Sequence, residues 1–129
     1  MKGKLSEKHK HPIVSVYIDK IQTQLLAIID TGCYGSYLLL GNNKPEDYDI
    51  FTYTGNHGVA HAAGGAALPH PLVVHKIKIG DWDFELEFGL IPGTFEGCAV
   101  VLGTQFLYEN KISIYINGDD FELKAESTT

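Results

Sequence analysis

Much is scarce in this chain of 129 residues, and each scarcity excludes something. Cysteine occurs only at Cys33 and Cys98, too few to staple a disulfide scaffold. No apolar run approaches the roughly 18 residues that span a bilayer as a helix, and the charged N-terminus shows no apolar segment before Pro12 that would read as a signal peptide. Positive charge is short as well: ten Lys plus Arg against sixteen Asp plus Glu give a net charge of −6. Nucleic acid and anionic membranes are held by clustered cations, so neither is an expected partner. The one basic run, Met1 to Lys10, reads as a frayed, solvated tail. Long repeats and low-complexity tracts are missing too. What remains is one soluble domain, expected in the cytoplasm, with 44% hydrophobic residues to build its core.

What is present is β-rich. Ile13–Ile18 alternates Val14 and Val16 with Ser15 and Tyr17, and Gln24–Ile29 is nearly continuous in apolar residues. The pair predicts a hairpin whose second strand is buried on both faces. Tyr37–Leu40 is a further short strand, and Gly41–Tyr48 a loop. From Phe51 to Leu68, Gly55, Gly58, Gly64 and Gly65 stand among small and polar side chains that can bury little surface, which predicts a projecting, mobile element. Strand character returns at Leu72–Ile79, after Pro69 and Pro71. Trp82–Phe88 alternates apolar with acidic residues as a half-exposed strand should. Cys98–Leu102 is apolar, Thr104–Lys111 is the best helical candidate with Thr104 as its N-cap, and Ile112–Lys124 is a hairpin turning at Asn117-Gly118.

Asp30-Thr31-Gly32 is the sharpest chemical feature, an acid set directly after a buried strand. Alone the tripeptide is weak, since the pattern Asp-Ser/Thr-Gly arises by chance in roughly one chain in twenty of this length and Asp and Gly also favour plain turns. Its context is informative. About seventy residues on, Val100-Val101-Leu102-Gly103 leads into the short helix, and the glycine-rich segment lies between. That order resembles the retropepsin-like aspartic proteases from about Pro12 to Ile116. The resemblance implies an all-β, closed-barrel fold with one short C-terminal helix and half an active site per chain. Residues 12–124 would be the domain, between tails at 1–11 and 125–129.

By matching position, the resemblance makes Asp30 the catalytic carboxylate. It gives Thr31 a hydrogen bond across a dimer axis, and Gly32 the close approach of backbone to substrate. Cys33 and Val101 would line the cleft, Leu102 would lie beneath it and Gly103 behind its loop. A flap with its tip in Ala62, Ala63, Gly64 and Gly65 would grip an extended peptide. The implied activity is endopeptidase cleavage of peptide or protein substrates by a homodimer, with no metal or organic cofactor. A cleft-bearing dimer that binds peptides without cutting them is the alternative. Cys33 stands where the family usually has Ala or Ser, which raises oxidation of its thiol as a control, or the thiol as a nucleophile. Polar Thr104-Gln105 replaces the charged residues that usually brace the helix. The histidines show no metal-ligand spacing: His57 and His61 are separated by glycine, His70 and His75 by Pro71 and a strand.

Overall fold

In the computed structural model, residues 1–8, 10–41, 53–61, 67–95 and 97–125 are described. Their strands are β1 (Lys2–Lys4), β2 (Ile13–Ile18), β3 (Thr23–Ile29), β4 (Tyr37–Leu39), β5 (Tyr53–His61), β6 (Ala67–Ile79), β7 (Trp82–Ile91), β8 (Val100–Leu102), β9 (Ile112–Asn117) and β10 (Asp120–Ala125). One α-helix, α1 (Thr104–Glu109), lies between β8 and β9. It is six residues long, and no described helix is long and apolar enough to cross a membrane.

Six strands close on themselves. The order β2-β3-β8-β4-β7-β6 returns to its start through Tyr17↔Lys78 and Ile18↔Ile77 between β2 and β6. Closure removes the open sheet edges that invite aggregation. The alternation read from β2 points Val14, Val16 and Ile18 inward, where they meet Ala27, Ile29, Leu38, Val73, Phe88, Val100 and Leu102. Phe106 of α1 closes one end of this core and meets Phe84 edge-on, ring centroids 5.0 Å apart. Burying each such side chain contributes about 2 kcal/mol.

Some expectations need correction. The second strand of the first hairpin is buried on both faces only over Ala27, Ile28 and Ile29; Leu26 stays 53% exposed. Strand β6 starts at Ala67 and runs straight through Pro69 and Pro71. Over that stretch it pairs with β5 but not yet with β7, whose pairing begins at Leu72. A strand with one free side tolerates residues that cannot donate to a ladder. The glycine-rich segment is itself regular over Tyr53–His61, where β5 pairs with β6 as a two-stranded arm appended to the barrel. Its expected tip, Ala62, Ala63, Gly64 and Gly65, lies outside the described residues, as does most of the expected loop before it.

The N-terminal segment does not fray. Lys2, Gly3 and Lys4 pair with Glu122, Phe121 and Asp120 of β10, making a second sheet in the order β1-β10-β9. A Cβ on Gly3 would sit 2.7 Å from the Phe121 ring, so this strand lies flat on an aromatic face. The turn between β9 and β10 also differs in detail. Asn117 pairs with Asp120, leaving Gly118 and Asp119 as the turn, and Gly118 alone has positive φ, at 64°. That is the II′ pattern, with glycine at the first central position. The cap of α1 is Gly103, with extended backbone, and not Thr104.

Candidate active site

Strands β3 and β8 run parallel, with Ile29 beside Leu102. The residues that follow, Asp30 and Gly103, therefore leave the barrel at the same end, and the Asp30 N–H donates to the Leu102 carbonyl at 3.0 Å. The chain then turns tightly. The Cys33 N–H donates to the Asp30 carbonyl at 3.1 Å, and the Gly32 N–H donates to Asp30 Oδ1 at 2.9 Å. Aspartate holding the backbone two residues on is a favoured turn device. Here it also fixes the carboxylate at the mouth of the turn. A Cβ at Gly32 would lie 3.3 Å from Oδ1, so a side chain there would press on the carboxylate. Thr31 and Gly32 are exposed, and Asp30 is half-buried.

Behind the loop, Gly103 is sterically fixed. A Cβ on it would come within 2.2, 2.5 and 2.7 Å of the carbonyl oxygens of Gly35, Tyr34 and Cys33. Its N–H meets the buried Ser36 hydroxyl at 3.3 Å. The next two N–H groups, at the start of α1, donate to the Cys33 and Tyr34 carbonyls at 2.8 and 2.9 Å. These are donors a helix cannot satisfy within itself. Main chain, not a salt bridge, ties α1 to the loop. The Gln105 side chain turns back along the helix to Glu109, at 3.0 Å.

The loop borders a cleft of about 680 Å³. Its wall is one face of three neighbouring strands: Tyr37 and Leu39 of β4, Glu87, Gly89 and Ile91 of β7, and His70 and Leu72 of β6. Val101 reaches it from β8, packing with Ile28 and Cys98 in a small cluster outside the barrel, against which Cys33, Tyr37 and Leu39 lean. Leu102 points the other way and is fully buried in the core. Asp30, Gly32, Cys33 and Val101 thus share one cleft, with Leu102 and Gly103 packed beneath and behind the loop.

Sequence reading missed Ser36, Tyr37, His70 and Glu87. Ser36 and Tyr37 follow directly from the loop and strand they sit in, but His70 and Glu87 reach the cleft only through strand register. His70 is buried, its ring 5.4 Å from that of Tyr37, in space that a Cβ on Gly89 would fill. Among the described residues no three His, Cys, Asp or Glu side chains come together as a metal site would require.

Burial pushes the Cys33 thiol above its ordinary value, and the adjacent Asp30 carboxylate adds to the effect; bonds with Gly35 and Tyr37 offset part of it. Tyr37 is raised as well, again mainly by burial and then by Cys33. A thiol held in its neutral form is a poor nucleophile and a slow target for oxidants. Neither the cysteine-protease nor the redox reading of Cys33 gains support.

No family model matches the sequence, and no curated protein does. Solved structures do. A retropepsin-like aspartic protease from Rickettsia conorii superposes with a TM-score of 0.58 at 16% identity, over 95% of this chain and 91% of that one. The EIAV protease, in complex with the inhibitor HBY-793, gives 0.57 at 20% identity, over 86% and 98%. A protein of unknown function from Legionella pneumophila gives 0.52 at 16% identity, over 75% and 84%. The chain is similar to these in architecture, and its fold, a closed six-stranded barrel with one short helix, is retropepsin-like.

Proposed function

We propose that the protein is a homodimeric aspartic endopeptidase. The observation that carries this reading is Asp30, held by the Gly32 N–H at the end of paired parallel strands and opening onto a peptide-sized cleft. Each chain supplies one such carboxylate. Hydrolysis of a peptide bond by carboxylates calls for two, close enough to share a proton, because like charges about 3 Å apart do not both ionise. A second copy of Asp30 across a two-fold axis completes the pair, in the commonest oligomeric arrangement. Uncovered aromatic surface at the site supports a partner: Tyr34, in the loop that follows Asp30 and lining the same cleft, is 69% exposed.

In this mechanism the ionised member of the pair takes a proton from water as it attacks the scissile carbonyl. The protonated member donates its proton to the carbonyl oxygen, and the tetrahedral intermediate collapses as a proton passes to the leaving nitrogen. Thr31 tightens the two loops against each other. The arm of β5 and β6 acts as a flap that holds substrate as an added strand and excludes water.

The test is cleavage of a peptide library, read by mass spectrometry between about pH 4 and 7, with the native chain and Asp30→Asn. Cuts made by the native chain and lost in a still-dimeric variant are expected. Cuts that persist in the variant refute the mechanism. Peptide binding without cutting, by a folded native dimer, would favour a scaffolding role.

A further inference from the structure

The outer face of β6 and β7 carries a ladder of charges. Lys78 lies opposite Asp83, with Nζ 3.6 Å from the carboxylate, and Lys76 lies opposite Glu85. The third acid of β7 breaks the pattern: Glu87 lies opposite Val74. It is exposed, and no described residue pairs with it. Two residues further, the same face of β7 continues with Gly89 and Ile91, and all three line the cleft. The pairing of Tyr37 with Gly89 puts Glu87 at the end of this wall nearest the Asp30 loop. The other side chains on the wall are Tyr37, Leu39, Leu72, Ile91 and the buried His70, with Val101 and Phe95 beside them, and among the described residues lining the cleft none is Lys or Arg.

We infer that Glu87 is a specificity residue that selects a Lys or Arg side chain in the bound peptide, beside subsites that take apolar ones. The inference rests on the endopeptidase reading and adds a substrate class to it. A carboxylate that no described residue neutralises, beside low-dielectric walls, attracts a cation entering the cleft and repels an anion. The cross-strand lysine that would have neutralised it is replaced by Val74, so the ligand supplies the cation. Because Glu87 is exposed, the expected preference is moderate, roughly threefold to tenfold.

The test takes a peptide that the native chain cuts and varies one position at a time among Lys, Gln and Glu, with all versions competing in one reaction. At one or two positions kcat/KM is expected to fall in the order Lys, Gln, Glu, with the spread narrowing as salt is raised. Glu87→Gln is expected to level the order and Glu87→Lys to reverse it. Both are exposed changes that should leave the fold intact, which thermal unfolding checks. Equal rates for the three peptides in the native chain, or an unchanged order in both variants, would overturn the inference while leaving the endopeptidase reading standing. If the native chain cuts nothing, the endopeptidase reading fails separately, and binding of the same peptides to the native dimer, by fluorescence anisotropy, decides the role of Glu87.

Discussion

Gly103 is where a single atom would do most damage. An added methyl at Gly103→Ala would meet three backbone carbonyls at 2.2–2.7 Å, and backbone cannot step aside as a flexible side chain can. The expected cost is about 3 kcal/mol of stability, read as a lower urea midpoint at unchanged slope, with peptide cleavage lost because the Asp30 loop is displaced. A shift under about 1 kcal/mol would mean that the loop has more room than its geometry allows. Cys33 gives the second residue-scale prediction. Its thiol is raised above the ordinary value of 9.0 by burial and by Asp30, so less thiolate exists at pH 7.4. Alkylation by iodoacetamide should be slower than that of an unhindered peptide thiol and should still be climbing above pH 9. Alkylation faster than the peptide thiol would contradict the assignment.

Each element follows from its sequence to the extent that its signal is local. The alternation in β2 and β7, the turn glycines at 80, 93 and 118 and the apolar run into Asp30 were all readable, because side-chain period and backbone handedness act within a few residues. What could not be read depended on distant partners. β1 carries no apolar pattern and exists because β10 offers a free edge and the Phe121 ring beneath Gly3. β6 accepts two prolines because β7 has not yet joined it there. The carboxylate loop was legible at Asp30, whereas its bracing by the α1 N–H groups and the arrival of Glu87 depend on register. Removing Met1–Leu5 is therefore expected to expose Phe121 and cost about 2 kcal/mol, which chemical unfolding would register; unchanged stability would return this segment to a loose tail. On β6, His75 is buried and its proton affinity is lowered, chiefly by burial and then by Lys20. The unfolded chain therefore takes up that proton first. His75 contributes stability that is complete above about pH 6.5 and is lost as pH falls below it. Unfolding midpoints for His75→Leu should decline less between pH 7 and 5 than those of the native chain; parallel declines would remove His75 as the cause.

For the whole molecule, the closed barrel and the site make different demands. The barrel is complete in one chain, with its strands joined edge to edge and its core filled. The proposed chemistry is not, because its second carboxylate comes from another copy. Specific activity should therefore fall on dilution as dimers dissociate, while the fold persists. The most direct test is to refold native and Asp30→Asn chains together in equal amounts. If each dimer needs Asp30 from both chains, random pairing leaves about a quarter of the dimers fully native, and activity should drop to about a quarter of that of the same total amount of native protein. Activity at about a half would mean that each chain works alone, which would contradict the shared site.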